Sequence, residues 1–349
     1  MSTAEQRSGA GRDHGFHPLR IARVVRETAD ASSFVLEIPG NLTPAFAYAA
    51  GQFCNFRIWV GSQPYVRCYS MSSAPEVDAE FQVTVKRVPD GVVSNWMNDA
   101  LAPGDEIEVS LPAGFFVLRD TDDDLVAFSG GSGITPVFSL VKAALATTTR
   151  RVRLLYANRD RESIIFRDEL DALVRRYGDR ISVAHHLDVE DGFVGADDVR
   201  PFVGAASGTD FYICGPAPFM EIVEKTLLAE DVAADHVHIE RFTPAELPPL
   251  PKPAVAAPTA TRVTVELGGR TESTDYRPGT TILQTARHMG LSAPSSCESG
   301  SCATCMARLV DGAVSMRVNN ALTPEEVEEG WVLTCQSVPT TASVHVVYE

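Results

Sequence analysis

The chain has 349 residues, enough for two or three cores at roughly 100–200 residues per domain. Asp and Glu total 46 against 30 Lys and Arg, a formal charge of −16, which argues against nucleic acid or an anionic membrane as the main partner, since both select basic faces. A hydrophobic fraction of 44% and a charged fraction of 22% exclude wholesale disorder and a collagen-like repeat. No segment reaches the ~20 apolar residues of a membrane span: the nearest, residues 125–146, is broken by Gly130-Gly131-Ser132-Gly133, Pro136 and Lys142. Residues 1–17 read as a mobile tail without the apolar run of a signal peptide, so the expected location is the cytoplasm.

Residues 18–120 read as all-β. Apolar and polar residues alternate over 34–38, 55–60, 81–85 and 107–111, with one helix expected at 93–101. Many short strands with a single helix predict an antiparallel β-barrel. From 121 to 243 apolar strands (125–128, 152–156, 181–184, 211–214) alternate with helical patterns (135–146, 163–177, 217–229), which predicts an α/β domain on a parallel sheet. Ligands of such sheets bind beyond the carboxyl ends of the strands.

Residues 244–260 hold Pro244, Pro248, Pro249, Pro251, Pro253 and Pro258, a composition that makes an extended, semi-rigid linker. Beyond it, 261–349 reads as a compact α+β unit. A hairpin is expected around Gly268-Gly269-Arg270, and a helix capped by Thr280, carrying Ile282, Leu283, Ala286 and Met289, and closed by Gly290.

Four of the seven cysteines fall in the last unit. Cys297, Cys302 and Cys305 are spaced C-x4-C-x2-C, and Cys335 follows after a gap of 29 residues. This is the plant-type [2Fe–2S] spacing, in which four thiolates hold two irons and three come from one loop. Small residues there (Ser299, Gly300, Ser301, Ala303) let backbone N–H groups approach the sulfides. Zinc prefers paired C-x2-C on both sides, and a disulfide framework needs an oxidising compartment. CESGSCATC and GWVLTCQSVP resemble the plant-type ferredoxin family, which implies a β-grasp fold; Ala303 departs from the glycine usual there.

Arg67-Cys68-Tyr69-Ser70 offers a cation for a pyrophosphate, a flat ring and a hydroxyl, the groups a flavin needs, while alternation sets Cys68 opposite Arg67 and Tyr69. An Arg and a Tyr on a strand are otherwise ordinary surface and core. With Val85-Lys86 and Gly91-Val92-Val93-Ser94 the motif resembles the FAD domain of the ferredoxin–NAD(P) reductase superfamily. The resemblance implies that Arg67, Cys68, Tyr69, Ser70, Val85, Lys86, Gly91, Val93 and Ser94 contact FAD.

Two glycine turns end strands and open helices: 129–136 (SGGSGITP) and 214–218 (CGPAP). Such turns admit a pyrophosphate at a helix N-terminus, or are simply tight connections. They resemble the NAD(P) motifs of the same superfamily, implying that Gly131, Gly133, Thr135, Cys214, Gly215 and Pro216 bind the nicotinamide nucleotide. Glu240 and Phe242 then fall near the hydride path and the flavin. By that resemblance Ser70, Thr135, Cys214 and Glu240 serve the chemistry.

A hydride carries two electrons and a [2Fe–2S] cluster accepts one; a flavin deals with both. In order and motifs (VTVKR, LLYANRD, YICGP, VHIE) the chain is similar to reductase components of multicomponent, Rieske-type oxygenases, above all those of the 3-ketosteroid 9α-hydroxylase kind, with a layout shared by phenylacetyl-CoA epoxidase reductases. The resemblance implies transfer from NADH, in preference to NADPH, through FAD and [2Fe–2S] to a terminal oxygenase, with no nucleic-acid or membrane partner. The alternatives are the reductase of another oxygenase, such as phenylacetyl-CoA epoxidase, or a module that carries or senses electrons without turnover.

Overall fold

The computed structural model describes residues 15–61, 63–204, 208–242, 262–295, 298, 300, 302–319 and 321–348. The proline-rich segment at 244–260, Cys297, Ser299 and Ser301 lie outside the described residues. Among the described residues no helix is long and apolar enough to cross a membrane.

Alternation builds the first unit. β1 (Phe16–Thr28), β2 (Ala31–Glu37), β3 (Phe53–Val60), β4 (Gln63–Ser70), β5 (Phe81–Lys86), α1 (Val92–Ala100) and β6 (Glu106–Ser110) follow in chain order. The six strands form one antiparallel sheet in the order β4-β3-β6-β1-β2-β5, and a bridge between Met71 and Val83 draws its two edges into a barrel. Inward residues such as Ile21, Phe34, Phe56 and Val83 meet Met97 of α1 in the barrel core. β1 starts within the stretch expected as a tail, because Leu19 and Ile21 are buried between exposed Pro18, Arg20 and Ala22.

The second unit runs β7 (Asp124–Gly130), α2 (Ile134–Thr147), β8 (Val152–Asn158), α3 (Arg167–Tyr177), β9 (Ile181–Leu187), α4 (Asp188–Asp191), α5 (Ala196–Val203), β10 (Thr209–Cys214), α6 (Ala217–Ala229) and β11 (Val237–Glu240). Its strands pair in parallel in the order β11-β10-β7-β8-β9, so the chain reverses its direction of winding between β7 and β10. That switch point is where open α/β sheets hold their ligands. α3 begins four residues later than the periodicity predicts, because Asp160 caps a 3₁₀ turn at Arg161–Ser163 and Phe166 then takes a left-handed φ of 59°.

The barrel and the parallel sheet share a core. Ala31, Ala50, Ala74 and Phe116 of the first unit pack with Ile134, Val137 and Leu140 of α2. Ser139 Oγ donates to Ser73 O at 2.6 Å and accepts from Gly51 N–H at 3.2 Å. Lys142, its ammonium depressed by burial, pairs with Asp78 across the same seam.

The third unit contains β12 (Arg262–Leu267), β13 (Arg270–Asp275), α7 (Ile282–His288), β14 (Met306–Met316), α8 (Pro324–Glu328), β15 (Trp331–Leu333) and β16 (Ser337–Tyr348). The mixed sheet, ordered β13-β12-β16-β14-β15, packs Val263, Val265, Val344 and Val346 against Ile282, Leu283 and Ala286 of α7. The helix is capped by Thr281 rather than Thr280: Thr281 Oγ1 accepts from Gln284 N–H at 3.2 Å, and Gln284 Oε1 accepts from Thr281 N–H at 2.9 Å.

The two glycine turns lock together at the switch point. A Cβ on Gly133 would stand 2.0 Å from the carbonyl oxygen of Cys214, and one on Gly215 3.0 Å from the backbone nitrogen of Gly130. Gly133→Ala is therefore expected to destabilise the second unit by about 1–3 kcal/mol, the usual range for overpacking. A denaturation midpoint equal to that of the unaltered chain would contradict this.

Candidate active site

The pairing of β3 with β4 sorts the side chains of Arg67-Cys68-Tyr69-Ser70 between two faces. Tyr69 stands opposite Cys54 and turns inward, its ring meeting Phe56 edge-on at 5.5 Å between centroids. Arg67 is exposed on the same face, its guanidinium donating to Val66 O at 2.7 Å. Cys68 and Ser70 belong to the other face with Asn55 and Phe53, their partners in the register. Cys68 therefore shares the face of Ser70, and its thiol lies 3.1 Å from Asn55 Oδ1.

Around the inward face stand the groups expected to hold phosphate. Lys86 Nζ lies 3.8 Å from Asp30 Oδ2 and close to Gly131 across the seam. Gly91 is the N-cap of α1 and offers no side-chain cap, so the first N–H groups of the helix are open to an anion. Ser94 Oγ accepts from Val88 N–H at 3.0 Å, leaving its own proton to donate. Val85 and Val93 fill the barrel core, so their side chains pack instead of reaching a ligand; alternation along β5 and the helical turn of α1 both direct them inward.

At the carboxyl edge of the parallel sheet, Ser129, Cys214 and Glu240 stand side by side on β7, β10 and β11. Cys214 is fully buried, and burial together with the nearby Glu240 charge pushes its thiol well above the ordinary range, which removes it as a nucleophile. Thr135 Oγ1 donates to Ser132 O at 3.0 Å. Pro216 precedes α6, another helix start without a side-chain cap. Gly131, with φ 53°, is the open member of its turn; Gly133 and Gly215 are spoken for by the interlock.

The cysteine loop closes the assembly. Cys302, Cys305 and Cys335 are all buried, and a hydrogen bond with Cys335, burial and the charges of Cys335 and Cys302 raise the Cys305 thiol well above its usual range. Thr334 Oγ1 donates to Cys305 O at 2.7 Å, and Gln336 Nε2 donates to Glu298 O at 2.6 Å, tying the two ligand-bearing segments together. Cys302 packs against Phe53, Ala113 and Cys68 of the barrel. Phe53, Cys68, Ser70, Glu240, Arg241, Phe242 and Cys302 surround one small void, so all three units meet there.

Three family models match in the order of these units: an oxidoreductase FAD-binding domain over 18–118, an oxidoreductase NAD-binding domain over 128–225 and a 2Fe-2S iron-sulfur cluster binding domain over 265–340. The chain is 40% identical over 345 residues to the ferredoxin reductase component of 3-ketosteroid-9-alpha-monooxygenase from Mycobacterium tuberculosis, covering 95% of each chain. It is 32% identical to the glycine betaine monooxygenase reductase subunit of Pseudomonas aeruginosa, covering 93% of this chain and 94% of that one. The chain belongs to the oxygenase reductase components. Among solved structures, phthalate dioxygenase reductase superposes with a TM-score of 0.63 at 27% identity, covering 96% of this chain and 98% of that one. The protein is accordingly an NAD(P)H-dependent flavin and iron–sulfur oxidoreductase.

The chain's own residues fit those cofactors. Ser70 is 2% exposed, yet among the described residues its hydroxyl has no hydrogen-bond partner, as a group kept for a flavin requires. Three buried thiols, of which Cys305 is pushed up by its neighbours Cys335 and Cys302, form a donor set for a cationic metal centre. Asn55, Thr334 and Gln336 escaped sequence reasoning. Nothing in the spacing of a polar residue on a strand announces a partner 247 positions away.

Ala303, in the cysteine loop, has φ 54°, the left-handed region that costs a residue with a Cβ roughly 1–2 kcal/mol. Ala303→Gly is expected to relieve that strain. The temperature at which the cluster's visible absorption bleaches should rise by a few degrees; a fall would show that the methyl group contributes more by packing than it costs in strain.

Proposed function

We propose that this reductase passes electrons from NADH through FAD and a [2Fe–2S] cluster to a terminal Rieske-type oxygenase in the cytoplasm, and that this oxygenase is a 3-ketosteroid 9α-hydroxylase. The observation that carries the electron route is the convergence of Ser70, Glu240, Phe242 and the cluster ligand Cys302 on one small void. Support for the oxygenase comes from the ferredoxin reductase components of 3-ketosteroid-9-alpha-monooxygenase at 38–40% identity.

When bound, a flavin takes up the two electrons of a hydride and releases them singly. The protein's part is to orient and to exclude water. Arg67, Lys86 and the open start of α1 supply positive potential for a pyrophosphate, while Tyr69 presents a half-buried ring and Ser70 a hydroxyl without another partner among the described residues. Gly131, Thr135 and the start of α6 after Pro216 receive the nicotinamide nucleotide at the switch point, with Glu240 and neutral Cys214 lining the approach. Phe242, 38% exposed, covers the void from outside. Cys297, Cys302, Cys305 and Cys335 hold the cluster.

NADH is favoured on two of the three arginines near β8 that a 2′-phosphate could meet, Arg153 and Arg159, which are otherwise placed; Arg161, beyond the carboxyl end of the strand, is exposed. Arg153 lies near the amino end of β8, its guanidinium against Gly204, on the far side of the sheet from the carboxyl edge. Arg159 is paired with Asp160 at 2.7 Å. The ratio kcat/KM for NADH is expected to exceed that for NADPH by at least about tenfold, a difference of about 1.4 kcal/mol; equal ratios would overturn the preference.

Cys302→Ser and Cys335→Ser are expected to abolish the iron–sulfur absorption and the reduction of cytochrome c by NADH. Bleaching of the flavin by NADH should persist. Cluster absorption at full strength in either variant would count against the ligand set. The oxygenase is tested by reconstitution: turnover of a 3-ketosteroid by its 9α-hydroxylase with this reductase as electron source supports the assignment, and failure with active oxygenase overturns it.

A further inference from the structure

Asn55 lies on β3, on the face of the barrel turned away from Arg67 and Tyr69, and is 6% exposed. Its backbone is fixed, the N–H donating to Ser110 Oγ at 2.9 Å. Its side chain reaches into the iron–sulfur unit. Nδ2 donates to the main-chain carbonyl of Cys302 at 3.0 Å, and Oδ1 accepts from Thr304 Oγ1 at 2.8 Å. Oδ1 also stands 3.1 Å from the Cys68 thiol, two residues before Ser70. One amide therefore holds a cluster ligand by its backbone, holds the ligand's neighbour by its hydroxyl, and touches the strand that carries the flavin-facing serine.

The surroundings make that amide matter. Beside it the two units part around a cleft of about 590 Å³, walled by residues such as Arg57 and Tyr65 from the barrel and Pro294, Ala303 and Trp331 from the other unit. Among the described residues, the buried apolar cluster that joins the two units consists of Phe53, Ala113 and Cys302, with Cys68 packed against it. Directed bonds fix the registration of such a contact, and a buried amide that loses its partners is costly, so the bonded arrangement is selected over slipped ones.

We infer that Asn55 is the positioning residue that seats the cluster loop on the flavin barrel, and that it sets the rate of transfer between the two centres without entering the chemistry of either. The inference rests on the proposed route from flavin to cluster. It assigns to Asn55 the alignment of the two units.

The test uses the full chain loaded with FAD and cluster, as Asn55→Ala, Asn55→Asp and Thr304→Val. Asn55→Asp keeps an acceptor for Thr304 and places a carboxylate oxygen against the Cys302 carbonyl. In anaerobic stopped-flow mixing with NADH, flavin reduction should match the unaltered protein in every variant, while the subsequent transfer to the cluster slows at least tenfold in Asn55→Ala and Asn55→Asp. A second readout is independent of turnover. The radius of gyration in solution scattering should rise, and the segment 244–260 should be cut faster by a protease, as the unit leaves its seat. Pairing Asn55→Ala with Thr304→Val should add less than the sum of the single effects, because both remove the same bond.

Unchanged transfer together with unchanged scattering and proteolysis in Asn55→Ala would overturn the inference. So would slower transfer with an unmoved unit, which would make Asn55 part of the electron path. If Asn55→Ala does not fold, Thr304→Val and Asn55→Asp carry the same comparison from the two sides of the contact. Failure of the underlying route looks different: the cluster of the unaltered protein would then stay oxidised after its flavin is reduced.

Discussion

A β-strand shows two faces, and the constraint on which this molecule depends is that β3 and β4 use both. Tyr69 and Arg67 belong to the barrel side, Cys68 and Ser70 to the side that meets the iron–sulfur unit. Alternation alone enforces the division, because neighbouring side chains on a strand cannot share a face. The strand pair thereby carries the barrel wall on one face and, on the other, the seam where Ser70 meets the iron–sulfur unit. The parallel sheet adds its carboxyl edge at the same point, through Glu240 and Phe242.

The glycines show how one residue type answers different demands within a few positions. Gly133 is required by the carbonyl of Cys214, and Gly215 by the backbone of Gly130, so these belong to the packing of one turn on another. Gly131 alone in its turn combines a left-handed φ with open space. Read along the chain, all of them look like phosphate-binding glycines. The interlock gives the switch point a rigid floor, and a rigid floor is what lets Thr135 and Glu240 hold fixed positions relative to Ser70.

Much of the fold was legible because it is encoded over short spans. α6 occupies 217–229 as its periodicity predicts, and the β-to-βαβ change of texture marks the two sheets. β1 was missed because its exposed positions carry arginines and its register shifts twice, between Ile21 and Arg23 and between Arg26 and Thr28, which breaks a period of two. α5 was missed because it has eight residues with Pro201 inside. The spacing of the cysteines predicts one donor set, and the structure brings buried Cys302, Cys305 and Cys335 together, while Cys297 lies outside the described residues. The seat of the cysteine loop was not legible, since Asn55 meets Cys302 across most of the chain and the contact depends on how the two units dock.

The surplus of acid has to be weighed residue by residue in the same way. Glu325, Glu326, Glu328 and Glu329 read as one negative surface for a basic partner, yet Glu326 is 7% exposed, its carboxylate accepting from Thr323 N–H at 2.8 Å as half of a capping box. It therefore stabilises the start of α8 and borders the cleft beside Asn55, so part of the charge that looks outward in the sequence is spent on internal structure. Steering by the remaining carboxylates acts at long range and falls with salt. The alignment of the two electron-carrying units acts at hydrogen-bond range and does not. A reductase that must meet a separate oxygenase yet pass electrons internally needs both, and it keeps them apart by placing the first on its surface and the second in a buried amide.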